Sequence, residues 1–122
     1  LAFYGISYSA GVSPTLLAPE TRFKTAVLVS GGAWLPTAAE VDPWNYAPRV
    51  KVPVLMLNGR DDFVFPVDRS QIPLLNALGA PAKDKRHVLY DGGHVNLQTR
   101  MDLIGEILRW LDRYLGPVNT AP

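Results

Sequence analysis

Short apolar runs of strand length recur along the chain, each closed by a turn-forming residue. Leu1 to Tyr4 stops at Gly5 and reads as the end of a buried strand. Lys24 to Ser30, KTAVLVS, is a second strand, closed by Gly31 and Gly32. Val52 to Asn58, VPVLMLN, is a third, and its unbroken apolar character is that of a strand covered on both faces in a parallel sheet. Arg86 to Tyr90 is a fourth, followed by the turn Asp91-Gly92-Gly93-His94.

Between the strands the pattern changes period. Tyr8 to Leu17 suits a helix, provided that Pro14 falls in a first turn, where its missing N–H does no harm. Gln71 to Leu78 suits another, with Ser70 as N-cap, Pro73 in the first turn, and Gly79 and Pro81 as stops. Ala33 to Lys51 carries three prolines among Trp34, Trp44 and Tyr46 and reads as a long loop. The last helix is the clearest: Leu97, Met101, Ile104, Leu108, Leu111 and Leu115 share one stripe, Thr99 and Asp102 make a capping-box pattern, and Gly116-Pro117 ends it. Strand alternating with helix predicts an α/β fold, a parallel sheet of about four strands flanked by helices.

Composition narrows the function more than the fold. The 122 residues are 48% hydrophobic and 19% charged, as in an ordinary globular domain, and the length predicts one domain over 1–122. Twelve basic and 11 acidic residues are scattered without like-charged runs, which speaks against nucleic acid or an anionic membrane as partner. Cysteine is absent, so disulfides, thiolate zinc sites and thiol nucleophiles are excluded. Two histidines without an HExxH pair give little support for a metal. The apolar runs fall far short of the roughly 20 residues a membrane-spanning helix needs, and no basic segment precedes the first of them. A cytoplasmic location is the expectation.

Candidate chemistry gathers where the strands end. In FYGISYSAG, both Gly5-Ile6-Ser7-Tyr8-Ser9 and Ser7-Tyr8-Ser9-Ala10-Gly11 fit a small-x-Ser-x-small pattern. Alone that pattern is weak, but here it follows a strand and precedes a helix candidate, the place of a nucleophile elbow. Asp61 and Asp62 lie just beyond the third strand and His94 just beyond the fourth, the edge of a parallel sheet where ligands gather. The chain order Ser, Asp, His is that of α/β-hydrolases. His87 lies inside the fourth strand and reads as a structural or surface histidine.

With FYGISYS, LMLNGRDDFVFP and YDGGHVN, followed by a long closing helix, the sequence resembles the C-terminal half of an α/β-hydrolase, in the dienelactone hydrolase and prolyl-oligopeptidase-like branch. The resemblance covers nearly the whole chain. It implies Ser7 as nucleophile, with Ser9 in the usual glycine position; Asp62, between Gly59 and Pro66, as the acid; and His94 as the base. It also implies the backbone N–H of Tyr8 as one oxyanion-hole donor, and no cofactor. The reaction implied is two-step acyl transfer on a small, short-chain ester, with activity rising through roughly pH 6 to 7.5 as a histidine base loses its proton. Trp34, Trp44, Tyr46, Phe63 and Phe65 are candidates for an apolar acyl pocket, with core packing as the alternative.

Two departures from the family qualify this picture. The strands that normally precede the elbow, and the loop there that supplies a second oxyanion donor, have no counterpart. Ser30-Gly31-Gly32 resembles such a loop but follows the nucleophile. Removing one such donor can cost on the order of 100- to 1000-fold in rate. The nucleophile strand is also expected to form an exposed apolar sheet edge, covered by homodimerisation near Leu1 to Tyr4 and the first helix. The rival expectation is a non-catalytic binding or oligomerisation module, or a piece of a larger hydrolase.

Overall fold

The computed structural model describes residues 1–33, 36–94 and 100–118. Its centre is the strand pair β2 (Thr25–Val29) and β3 (Val54–Gly59), every residue of which is buried. Burial on both faces explains why these segments read as continuous apolar runs. β1 (Ala2–Ile6) pairs with β2 and β4 (Lys85–Tyr90) pairs with β3, giving one parallel sheet in the order β1-β2-β3-β4.

The two faces of the sheet carry separate halves of the core. Ala26, Leu28, Val54 and Met56 face α1 (Tyr8–Gly11), α2 (Ser13–Leu17) and α4 (Ile72–Ala77), with Ala10, Leu17 and Leu74 packed among them. Val27, Val29, Leu55 and Leu57 face α5 (Arg100–Leu115), which seats Trp110 against them. The Trp110 indole N–H donates to Thr25 Oγ1 at 2.7 Å, so this buried aromatic ring has its polar atom paired.

Four sequence expectations are corrected in detail. The single helix over Tyr8 to Leu17 is two, broken at Val12, and Pro14 lies in the first turn of the second, where the break makes it harmless. Ser70 does not cap the following helix: a wide turn over Val67–Gln71 precedes α4, and the Ser70 hydroxyl donates instead to Ala33 O at 2.8 Å. The loop over 33–51 contains a short helix, α3 (Pro43–Tyr46), whose N-cap Asp42 accepts from Trp44 N at 3.0 Å. In α5 the expected stripe holds only at Leu111, and the rest of the face that meets the sheet is made by other residues. Met101, Leu108 and Leu115 are exposed, while Leu103, Ile107, Trp110, Leu111 and Tyr114 pack on the sheet. Leu97 and Thr99 lie outside the described residues.

The ladders continue past the strand ends and align the loops that follow. Ser7 N–H donates to Val29 O (2.9 Å), Ser30 N–H to Leu57 O (2.8 Å), and Arg60 and Asp61 N–H to Tyr90 O and Gly92 O (both 2.9 Å). The C-terminal edge of the sheet is therefore a stapled row, with the segments carrying Ser7, Asp62 and His94 emerging along it.

Candidate active site

Ser7 sits between β1 and α1 with φ 54° and ψ −113°, a conformation that favours glycine and is uncommon for any other residue. Close packing forces it. Gly5 faces the Phe3 ring and Ala10 N so tightly that a Cβ there would come within 2.8 Å of the ring. The chain must turn sharply out of the strand, and the turn lifts the Ser7 hydroxyl above the sheet edge. Ser7 O accepts from Gly11 N at 2.9 Å, fixing the turn from the helix side.

Asp62 follows β3 in a loop whose own backbone grips it. Val64 and Phe65 N–H donate to its Oδ1 at 2.8 and 2.9 Å, and the side chain is wholly buried. His94 Nδ1 lies 2.9 Å from Asp62 Oδ2 and 3.1 Å from Oδ1, and Nε2 lies 2.7 Å from Ser7 Oγ. A carboxylate only accepts, so Nδ1 carries the hydrogen and Nε2 of the neutral ring accepts from the Ser7 hydroxyl. The Phe65 ring stands 5.7 Å from the imidazole, centroid to centroid, and supports it. Gly59 admits this approach: a Cβ there would collide with the carbonyl oxygens of Gly92 and Gly93, the backbone that delivers His94.

The other sequence candidates fall elsewhere. Ser9 is tied back to its own strand: Ile6 N donates to its Oγ at 2.8 Å, and the hydroxyl donates to Ile6 O at 2.9 Å. Asp61 is exposed. His87 is separate from the Ser7–His94–Asp62 line and bonds Asn58 and Gln71. The glycines after Ser30 serve packing, since a Cβ on Gly31 would come within 2.6 Å of the Ala10 Cβ and one on Gly32 within 2.7 Å of the Phe65 ring.

Beside Tyr8 a cleft of about 670 Å³ opens between α1–α2 and the loop leading into α3, walled by Tyr8, Val12, Pro36, Val41 and Tyr46. Its volume is in the range of small-molecule sites. Most of the expected pocket aromatics are not its walls: Phe65 is buried beneath His94, Phe63 is 84% exposed, and Trp44 is half-buried outside the cleft. Of those residues only Tyr46 lines it, and Trp34 lies outside the described residues. Among the described residues no group of three or more His, Asp or Glu is placed to hold a metal ion, and no helix is long and apolar enough to cross a membrane.

Neither a protein-family model nor a curated protein sequence matches the chain. Solved structures do. A cold-adapted esterase from an Arctic intertidal metagenomic library superposes with a TM-score of 0.72 at 25% identity, over 93% of this chain and 49% of the esterase. A candidate dienelactone hydrolase from Klebsiella pneumoniae gives 0.75 at 21% identity, over 93% and 52%. The acylaminoacyl peptidase of Pyrococcus horikoshii gives 0.72 at 17%, over 99% of this chain and 25% of the peptidase. The chain thus spans about half the length of the first two, and at the lower identities the likeness is one of fold alone. Four parallel strands in sequential order, helices on both faces and these superpositions together give the chain an α/β-hydrolase-like fold in partial form.

Proposed function

We propose that the chain is a serine hydrolase that cleaves small carboxylic esters by acyl transfer. One observation carries this reading: Ser7 Oγ, the His94 ring and the Asp62 carboxylate form one hydrogen-bonded line at the C-terminal edge of the sheet, with Ser7 held at positive φ. His94 Nε2 takes the hydroxyl proton as Ser7 Oγ attacks the ester carbonyl carbon. Asp62 holds the Nδ1–H tautomer and stabilises the imidazolium that forms. The Tyr8 N–H, first in α1, points its dipole at the oxyanion of the tetrahedral intermediate. His94 then returns the proton to the departing alkoxide, and water, deprotonated by the same nitrogen, releases the acyl group. The cleft beside Tyr8 receives the apolar part of the ester. The superposed esterase supports the choice of ester over amide, as does the more demanding leaving group of an amide.

The test is hydrolysis of a short-chain p-nitrophenyl ester by the parent chain beside Ser7→Ala and Ser9→Ala. Loss of activity in Ser7→Ala alone is the expected result. An inactive parent would favour the rival reading, a binding module or a portion of a larger hydrolase. The exposed apolar edge at β1 is the observation that keeps that rival in view.

A further inference from the structure

Beneath the Ser7–His94–Asp62 line lies a second polar cluster that the hydrolytic reading leaves unused. Asn58 and Gln71 are fully buried, and His87 is half-buried between them. Asn58 Nδ2 donates to Gly31 O at 2.8 Å, and Gln71 Nε2 donates to both Gly59 O (3.1 Å) and Phe65 O (2.7 Å). Carbonyl oxygens only accept, so both side-chain amides are fixed in orientation. Their remaining oxygens, Asn58 Oδ1 and Gln71 Oε1, stand 3.2 and 3.1 Å from His87 Nε2. Two acceptors facing one nitrogen assign the hydrogen: Nε2 carries it and shares it between them. Burial pushes the His87 pKa below the ordinary 6.5, which favours the neutral ring with an unprotonated Nδ1.

The carbonyls this cluster grips are not arbitrary. Gly59 and Phe65 are the two ends of the loop that presents Asp62, and Phe65 also gives Asp62 a backbone N–H and His94 a ring contact. Gly31 packs on Ala10, in the helix that follows the nucleophile. One chain of hydrogen bonds therefore runs from the loop behind the Ser7 elbow, through Asn58, His87 and Gln71, to both ends of the acid loop.

We infer that His87, Asn58 and Gln71 are positioning residues, which hold the acid loop closed so that the Asp62 carboxylate is aimed at His94. The catalytic part of this inference rests on the serine-hydrolase reading, and the geometric part does not. Without the Gln71 clamp the two carbonyls separate, the Val64 and Phe65 N–H groups turn away from Oδ1, and Asp62 leaves its line with Nδ1. A displacement of that kind costs about 10- to 100-fold in rate when the displaced group orients a base.

The experiment compares the parent chain with His87→Phe, His87→Gln and Gln71→Met. The first readout is the downfield proton NMR resonance of His94 Nδ1–H, which reports its bond to Asp62 without any turnover. The second is the split of kcat and KM on a p-nitrophenyl ester. In His87→Phe and Gln71→Met the resonance moves upfield or is lost to exchange, and kcat falls about 10- to 100-fold with KM little changed. His87→Gln, which restores an N–H donor, recovers both. Should His87→Phe fail to fold by circular dichroism, Gln71→Met, close to glutamine in length, carries the test. A parental resonance in both disruptive variants overturns the inference, and so does a His87→Gln as impaired as His87→Phe, since packing alone would then explain the effect. A parent without ester hydrolysis whose resonance still responds to the substitutions overturns the hydrolase reading and supports the positioning role.

Discussion

His94 Nε2 stands 2.7 Å from Ser7 Oγ, although the two residues are 87 positions apart in the chain. The contact depends on backbone strain at one end and a glycine at the other. Ser7 occupies a region of φ and ψ that costs a non-glycine residue of order 1–3 kcal/mol, and its N–H and C=O bonds to Val29 and Gly11 hold it there. Gly59 leaves room for the carbonyls of Gly92 and Gly93 to pass directly over β3. Each feature yields a prediction independent of substrate.

Replacing Ser7 separates strain from chemistry. Both Ser7→Gly and Ser7→Ala remove the hydroxyl proposed as nucleophile and should lower ester hydrolysis by at least about 1000-fold. Only glycine accepts φ 54° freely, so Ser7→Gly should be more stable than Ser7→Ala by about 1 kcal/mol. Urea unfolding of the two variants gives the difference directly. Equal stabilities, or the reverse order, would mean that the elbow stores no strain.

At Gly59 the sequence admits no side chain. A Cβ would enter the carbonyls of Gly92 and Gly93, so Gly59→Ala must push the histidine loop away from the acid loop. We expect a loss of about 1–3 kcal/mol in unfolding free energy, as for overpacking in a closed core. Ester hydrolysis should fall by at least about tenfold, since His94 is carried by the displaced backbone. Parental rates in a folded Gly59→Ala would show that the loop spacing is not what positions the imidazole.

The strands were legible because β2 and β3 are buried on both faces and leave unbroken apolar runs, and the Ser7, Asp62 and His94 segments because each stands directly after a strand. The choice of face on α5 was not legible. That helix is apolar on two sides, and periodicity alone cannot rank a stripe of Met101, Ile104 and Leu108 below one containing Trp110 and Tyr114. What settles it is long-range and polar: Trp110 pairs with Thr25, and Tyr114 OH donates to Asp84 Oδ1 at 3.0 Å. The Asn58–Gln71–His87 cluster was hidden for a similar reason. Its members come from β3, the turn before α4 and β4, and the sequence shows only an amide near the end of an otherwise apolar strand and a histidine inside β4 that reads as structural or surface.

Stability should decline on acidification in two stages of the same sign. Burial lowers the His87 pKa from 6.5, so below about pH 6.5 the unfolded chain binds a proton that the folded chain refuses, and unfolding is favoured until the folded value is passed. Glu106 is lowered from 4.5, chiefly by its hydrogen bond from Arg86, so its contribution is present above pH 4.5 and is lost as the pH falls toward its folded value. Tm measured from pH 8 to 3.5 should therefore be level above about 6.5 and fall below it, and His87→Gln should lack the first decline. A parent whose Tm rises between pH 6.5 and 5.5 would contradict the burial argument.

The last prediction concerns the surface that β1 leaves open. Tyr4 and Ile6 pair with Val27 and Val29, so they share the sheet face on which α5 packs, yet they are 52% and 45% exposed because α5 lies over β2 and β3 instead. Met101 and Leu108 on α5 are exposed as well, and among the described residues β1 pairs with no strand besides β2. An apolar sheet edge with unpaired backbone groups favours association. We propose that a second copy of the chain covers it. Sedimentation velocity at micromolar concentration should then show a dimer, and Ile6→Lys should shift it to monomer by placing a charge in the contact. Ester hydrolysis in that variant distinguishes two kinds of dimer: a rate that falls with dissociation means that the partner completes the site, and an unchanged rate means that association only covers the edge. A parent that sediments as a monomer leaves no place for a second copy, and Tyr4 and Ile6 would then be tolerated in water or covered by a different chain.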